Sequence, residues 1–197
     1  MLDAAVRVFS RNGFHAANMD EIAERSGVSK PMVYAYHGTK EELFLACLRR
    51  EQERLMEKII SAADSSLPPD EQLWRGLKGF FDYVGAHRDG WSVLYRQARS
   101  LEPFAGELAA MRRAMVQVIS HRLELAVEAY GRLARPDDLT SMALTLVGAS
   151  ESLADWLASH SDEDPGKIAT RLMNAVWLGA EQLLQGRVWR QRAEETR

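Results

Sequence analysis

Apolar residues recur at intervals of three and four along almost the whole chain, which is the spacing that places them on one face of an α-helix. Leu2, Ala5, Val6 and Phe9 form such a face at the N-terminus. No segment alternates apolar and polar residues over the length of a strand, and no hairpin turn joins two β-branched runs. The pattern therefore predicts an all-α fold.

Helix-capping residues divide this pattern into elements. Gly13 and Gly27 are placed to end helices, because glycine readily takes the left-handed backbone of a C-cap. Asn18 with Glu21, and Thr39 with Glu42, have the spacing of capping boxes that begin helices. Ser29 is placed to cap a third helix, with Pro31 in its first turn, and the fourth helix extends to about Ala63. The further helices are predicted at about 70–87, 91–100, 104–131, 137–160 and 165–185.

The segment from Met19 to Gly38 has the spacing of a helix-turn-helix, in which two short helices cross closely and the second enters the DNA major groove. Ala23 is small where the helices cross, Gly27 permits a positive φ at the turn, and Val33 is apolar where it fills the space between them. Ile22, Val28 and Tyr36 are predicted to complete the core. The alternative for this spacing alone is a helical hairpin that packs against other protein.

A longer set of residues extends this similarity to the first 45 residues. It comprises Leu2-Asp3-Ala4-Ala5, Phe9, Gly13-Phe14, Met19 to Ala23, Gly27 to Lys30, Val33 to Tyr36 and Lys40 to Leu43. This string resembles the N-terminal DNA-binding domain of the TetR family almost position by position. The resemblance implies a helix-turn-helix domain at residues 1–45, three helices in all, and a larger helical ligand-binding and dimerisation domain at residues 46–197.

The resemblance also implies a set of DNA-contacting residues: Asn18, Ser29, Lys30, Pro31, Met32, Tyr34, Tyr36 and Lys40. The third helix would be the recognition helix. Lys30 could donate to guanine, and apolar groups beside it could contact a thymine methyl. Tyr36 and Lys40 match phosphate-contacting positions, and Asn18 and Ser29 could offer further donors to phosphate.

Each of these residues has a simpler alternative. Tyr34 and Tyr36 could mainly pack, and Lys40 could pair with glutamates one turn away. The chain also departs from the family pattern after Tyr36. His37 replaces the usual aromatic and either packs as a neutral ring or contacts phosphate, and Gly38 replaces a polar residue or proline.

The last two predicted helices have strongly apolar faces, built from Leu139, Met142, Leu146, Leu153 and Leu157 in one and from Ile168, Leu172, Val176, Ala180 and Leu183 in the other. Small residues 148–150 would allow close approach of another helix. These faces favour a homodimer through the two C-terminal helices, as the resemblance also implies. The alternative is core burial within a single chain.

Aromatic and methionine side chains are concentrated in the middle of the chain. The candidate lining of an apolar ligand pocket is Phe80, Tyr83, Trp91, Tyr95, Met111, Met115, His121 and Trp156. Ordinary core packing is the alternative for every one of them. Glu151 and Asp155 lie one turn apart and have the spacing of a solvated pair.

Composition and charge narrow the possible functions. The formal net charge is −3, so any DNA binding must come from a few well-placed cations rather than from a general positive excess. The single cysteine, Cys47, excludes a disulfide within the chain and fits a reducing compartment. No signal peptide or membrane span is evident, which favours a cytoplasmic protein. The five histidines lack metal-ligand spacing, and no cofactor or enzyme motif is present.

The resemblance thus predicts a ligand-responsive repressor that binds a palindromic operator in double-stranded DNA as a dimer. A small, mostly apolar effector would release it. Two other classes stay open: a helical scaffold whose helix-turn-helix is only structural, and an all-α enzyme acting on an apolar small molecule.

Overall fold

Helices account for nearly all the regular structure in the computed structural model, which describes residues 1–62, 64, 66–129 and 135–184. In that part of the chain they are α1 (Leu2–Ala16), α2 (Met19–Ser26), α3 (Lys30–His37), α4 (Lys40–Ala62), α5 (Pro69–Ala86), α6 (Arg88–Trp91), a π-helical segment (Ser92–Gln97), a 3₁₀ turn (Ala98–Ser100), α7 (Phe104–Ala129), α8 (Pro136–Ser159) and α9 (Pro165–Leu184). The predicted all-α fold is confirmed. The predicted tail after Gly186 and most of the loop after α7 lie outside the described residues.

The starts of α2 and α4 illustrate one partial and one complete capping box. The Thr39 hydroxyl accepts from the backbone N–H of Glu42 at 3.1 Å, and the Glu42 carboxylate accepts from the backbone N–H of Thr39 at 3.1 Å. The Asn18 side chain accepts from the Asp20 backbone at 2.9 Å. Glu21 does not return this bond, because its carboxylate accepts instead from Asn12 and Arg25. The reciprocal half of the predicted Asn18–Glu21 box was therefore wrong.

Glycines at positive φ shape the N-terminal helices. Gly27 ends α2 in the left-handed region with φ 69° and ψ 25°, as predicted. Gly13 has φ 76° and ψ 163°, but the chain makes one further turn to Ala16 before α2 begins. The predicted end of α1 at Gly13 is thus an interruption and not the last residue of the helix.

The predicted helix at 91–100 has a more complex geometry. It divides into α6, the π-helical segment and the 3₁₀ turn. A π-helical turn holds more residues than an α-helical turn, so it changes the direction of the side chains that follow it. Apolar spacing alone does not distinguish these geometries, because all three bring residues three to five apart onto one face.

Two main hydrophobic clusters make up the core, and α4 contributes to both. The first cluster joins α1–α4 to the start of α7 and contains Phe9, Phe44 and Phe104. The second joins α5, α6, α8 and α9, and it includes Leu55 from α4 and Trp91 from α6. The helix α4 therefore passes without interruption through the predicted boundary between residues 45 and 46.

None of the helices in the described segments is long and apolar enough to cross a membrane.

Candidate DNA interface and effector cavity

The helices α2 and α3 pack through a small apolar core, as the sequence predicts. Ile22 and Val33 are fully buried, and Ala23 is 4% exposed where the two helices cross. Val28 is partly buried against the same cluster. Because Val33 faces inward, its neighbours on α3 are directed to the surface.

The outer face of α3 is a row of exposed side chains. Lys30, Pro31, Met32 and Tyr34 are all exposed, and Met32 keeps 45% of its surface accessible. Tyr36 is 70% exposed, so its predicted place in the helix-turn-helix core was wrong. This exposure leaves the Tyr36 side chain free to meet a partner surface.

Lys30 is held near α2 by an ion pair. Its Nζ lies 2.9 Å from Oδ2 of Asp20, and both side chains are about half exposed. The hydrogen bond and charge of Asp20 raise the pKa of Lys30, so this side chain stays cationic at neutral pH. An ammonium has three N–H donors, so Lys30 keeps two for a base while it is paired with Asp20.

Lys40 contacts the end of α1. Its Nζ donates to the backbone oxygens of His15 at 2.9 Å and Ala17 at 3.2 Å, and it lies 5.0 Å from the centre of the Phe14 ring. The predicted alternative of pairing with a glutamate one turn away was wrong. An ammonium has three N–H donors, so one is left for a phosphate.

Asn18 and Ser29 both keep unused donors beside α3. The Asn18 oxygen caps α2, and its NH₂ group has no hydrogen bond within the described part of the chain. Ser29 occupies the N-cap of α3 but makes no capping bond with its side chain. Both side chains are exposed at helix N-termini, where backbone N–H groups favour anions.

His37 is half-buried at the end of α3, and burial lowers its pKa below the ordinary value. A neutral ring is therefore favoured at neutral pH, which supports the packing alternative. Gly38 follows with φ 59° and ψ −68°, and a Cβ there would collide with the Glu42 carboxylate. The departure at Gly38 is explained by this backbone geometry and by the capping box next to it.

A cavity of about 520 Å³ lies among α4, α5, α7, α8 and α9. Most of its lining is aliphatic or aromatic. Of the predicted pocket residues, Phe80, Tyr95 and Met115 line it. Met111 lines a smaller space of about 30 Å³, which also touches Tyr95 and Met115. The volume falls in the range of about 300–1,000 Å³ that is usual for small-molecule sites.

Tyr83 and Trp91 are buried but belong to the core, which corrects their predicted place in the lining. The Tyr83 hydroxyl donates to Oε2 of Glu51 at 2.6 Å, and burial together with this carboxylate raises the pKa of Tyr83. Trp91 Nε1 donates to Asp155 at 2.8 Å. The Tyr83 hydroxyl and the Trp91 N–H therefore both have hydrogen-bond partners within the protein, and neither residue lines the cavity.

His121 and Trp156 are also placed outside the cavity, on the surface. His121 lies 3.4 Å from the Glu124 carboxylate and is exposed. Trp156 is 36% exposed, and its ring stacks on His160 with centroids 4.6 Å apart. The apolar spacing of α7 and α8 does not predict which face of each helix lines the cavity.

Sequence reasoning missed the polar group at the cavity wall. Glu151 is 7% exposed and lines the cavity, so its interpretation as part of a solvated pair was wrong. Its carboxylate accepts from Nε of Arg112 at 2.9 Å, and Arg99 lies 3.8 Å away. Burial, with the Glu151 charge and hydrogen bond, raises the pKa of Tyr95. The sequence signal that could have revealed this group is the charged Glu151 among the apolar residues on the buried face of α8.

The π-helical segment joins the cavity to the N-terminal helices. Tyr95 lines the cavity, and two residues later Gln97 donates through Nε2 to the backbone oxygen of Phe9 in α1. A second bond connects the same regions, from the Ser10 hydroxyl to Asp89 at 2.9 Å. The π-helical segment, which contributes Tyr95 to the cavity, and the neighbouring α6 are thereby hydrogen-bonded to α1.

A helix-turn-helix joined through α4 and α6 to a helical cavity domain defines a class of DNA-binding regulator. The sequence matches bacterial regulatory proteins of the tetR family over residues 1–47 and the tetracyclin repressor-like C-terminal domain over residues 69–179. The chain belongs to the tetR family and is a DNA-binding transcriptional regulator.

Individual relatives agree with this assignment. A TetR-like transcriptional regulator from Rhodococcus sp. RHA1 is 41% identical, with a TM-score of 0.77 over 91% of this chain and 93% of its own. The transcriptional activator FasR of Mycolicibacterium smegmatis is 36% identical over 103 residues, which cover 52% of this chain and 47% of FasR. The regulator FadR of Bacillus subtilis, solved in complex with stearoyl-CoA, is 17% identical and shares the fold, with a TM-score of 0.76 over 94% of this chain and 96% of its own.

Proposed function

We propose that this regulator is a ligand-responsive repressor. It binds a palindromic operator as a homodimer in the cytoplasm, and a small, mostly apolar effector releases it without being turned over. The observation that carries the proposal is the combination of an exposed recognition face on α3 with a separate, mostly apolar cavity among the later helices. The stearoyl-CoA complex of FadR supports an effector with a long apolar part.

Base reading is assigned to Lys30, Pro31, Met32 and Tyr34, because these residues of α3 are exposed whereas Val33 is buried. Phosphate contact is assigned to Tyr36, Lys40, Asn18 and Ser29. The formal net charge of −3 makes these local donors the main source of affinity.

The apolar faces from which the sequence predicted the dimer are core within the single chain, since Leu139, Leu146, Leu157, Ile168 and Leu172 are all buried. The dimer is therefore assigned to other faces of α8 and α9. One stripe of α8 is exposed and uncharged, with Leu144 at 44% exposure and Ser141, Thr145 and Ser152 beside it. On α9 the side chain of Ala175 and the backbone of Gly179 are exposed, so another helix could approach closely. The predicted contributions of Ala180 and Leu183 concern side chains outside those described. Two-fold pairing would set the recognition helices on half-sites about 34–36 Å apart.

Release requires that the effector favour a different spacing of the two recognition helices. The route from the cavity through Tyr95 and Gln97 to α1 supplies a contact by which occupancy of the cavity can shift the N-terminal helices. The operator is then lost when the favoured spacing no longer matches the two half-sites.

Selection from random duplex DNA at near-physiological salt tests the core of the proposal. A two-fold symmetric enriched site is the expected result, and Tyr36→Ala should weaken binding to that site by about tenfold without loss of folding. A reporter gene under the recovered site then distinguishes repression from activation. Failure to enrich any sequence, with binding that vanishes as salt rises, would contradict operator recognition and favour the scaffold alternative.

A further inference from the structure

The effector cavity opens to solvent between α4 and α7. Four of its lining residues are exposed: Ile60 on α4, and Val118, Arg122 and Leu125 on α7. The three α7 residues are spaced by four and three, so they lie on one face of the helix. They therefore mark the mouth of the cavity, whereas lining residues such as Phe80 and Leu146 lie at its buried end.

Among the described residues that line the cavity, two are charged, and they differ in how their charges are balanced. Glu151 lies at the buried end and is paired with Arg112 and more distantly with Arg99. Arg122 lies at the mouth and has no ion pair or hydrogen bond within the described segments of the chain. The cavity thus has a neutralised interior and an uncompensated positive charge at its entrance.

Neighbouring residues on α7 do not supply a partner for Arg122. The positions three and four residues away on either side are Val118, Ile119, Leu125 and Ala126, all of which are apolar. The adjacent His121 interacts with Glu124. A guanidinium has five N–H donors in a planar fork, which matches carboxylate and phosphate oxygens in a bidentate manner.

We propose that Arg122 selects effectors that are amphipathic anions, with an unbranched apolar chain inside the cavity and the anionic group at the mouth. The inference rests on the proposed function, which assigns an effector to this cavity, and it adds the chemistry of the ligand and the residue that recognises it. A carboxylate at the end of the chain or the phosphates of an acyl thioester would supply the anion.

Three probes with the same twelve-carbon chain test the proposal: dodecanoate, dodecanoyl-CoA and uncharged 1-dodecanol. Binding of each to the whole protein is followed by tryptophan fluorescence, because Trp177 lines the cavity. The variants are Arg122→Gln, Arg122→Lys and the control Arg113→Gln. Arg113 is exposed on the same helix, does not line the cavity and has no ion pair in the described residues.

We expect Arg122→Gln to weaken the binding of at least one anionic probe by about tenfold and to change the affinity for 1-dodecanol by no more than about twofold. Arg122→Lys should retain part of the affinity, and Arg113→Gln should change none of the three. If only the affinity for dodecanoate falls, Arg122 recognises a free carboxylate. If only the affinity for dodecanoyl-CoA falls, Arg122 recognises the phosphates.

The proposal is overturned if Arg122→Gln binds both anionic probes as tightly as the unmodified protein, or if none of the probes binds. Operator binding of the ligand-free protein is measured in parallel. Intact operator binding without probe binding rejects the amphipathic anion alone, whereas absence of operator binding rejects the proposed function.

Discussion

Lys40 and Tyr36 occupy opposite environments, although the resemblance gives both a phosphate-contacting role. Lys40 binds two backbone oxygens near the end of α1 and lies against the Phe14 ring. Tyr36 has no side-chain partner in the part of the chain that the structure describes and is 70% exposed. If the proposed phosphate contacts are correct, a substitution of Lys40 affects folding and DNA binding together, whereas a substitution of Tyr36 affects DNA binding alone.

We expect Lys40→Ala to lower the free energy of unfolding by about 1–2 kcal/mol, because it removes charge-assisted hydrogen bonds. Tyr36→Ala should stay within about 0.5 kcal/mol of the unmodified protein. Urea denaturation of the two variants measures the difference, with the exposed Lys58→Ala as the control. Equal stability of Lys40→Ala and Lys58→Ala would contradict the structural role of Lys40.

Cys47 provides a second residue-level prediction. It is fully buried in the first cluster, and burial raises the pKa of its thiol to about 12. The thiol holds its proton more tightly in the folded chain than in the unfolded one, so this contribution to stability is complete below about pH 9 and is lost as pH rises toward 12. Thiol-specific labelling at pH 8.5 should be very slow in the native protein and fast in urea. Rapid native labelling would show that the site opens readily.

At the scale of elements, the turn between α2 and α3 favours glycine at position 27 because of the backbone conformation there, and not because a side chain would lack space. A Cβ at Gly27 would meet nothing within 4 Å, but φ is 69°. We expect Gly27→Ala to cost about 1–2 kcal/mol and Gly27→Asn to cost less, because asparagine tolerates the left-handed region. Thermal denaturation distinguishes them, and similar losses for both would point to a cause other than φ.

The π-helical segment connects the cavity to α1. Gln97 donates through Nε2 to the Phe9 oxygen, while its own Oε1 is buried without a hydrogen-bond partner. Gln97→Met keeps the length of the side chain and removes both groups, so the loss of the hydrogen bond is offset by removal of the unpaired oxygen. Stability should change little.

If the proposed route is correct, Gln97→Met should still bind operator and effector separately, but the effector should no longer release the operator. A gel-shift titration with each of the twelve-carbon probes measures this coupling. Gln117→Met, which makes the same change at an exposed position of α7 that does not line the cavity, is the control. Unchanged release by Gln97→Met would place the coupling elsewhere, for example through α4.

At the scale of the whole molecule, the proposed function requires two copies, because one helix-turn-helix reads too few bases for a specific operator. Leu144 stands on the uncharged, exposed stripe of α8. We expect Leu144→Glu to weaken dimerisation by burying a charge in the interface, and operator affinity should fall with it. Sedimentation velocity measures the association. Gln117→Glu, which adds a charge to an exposed position of α7, should stay dimeric.

The sequence by itself determined the helical fold and the helix-turn-helix, since both depend on contacts within a few residues. Capping groups, the glycine at the turn and the spacing of Ala23 and Val33 act locally. For this reason α2, α3 and the start of α4 lie close to their predicted places.

Only the tertiary structure decided which side chains line the cavity and which contacts join the two ends of the molecule. Long helices such as α7 and α8 have apolar residues on several faces, so spacing does not reveal which face a neighbouring helix will cover. Lys40 meets oxygens more than twenty residues earlier, and Glu151 meets Arg112 across 39 residues. Such partners are brought together by the packing of whole helices, because a local pattern specifies the direction of a side chain but not what lies opposite it.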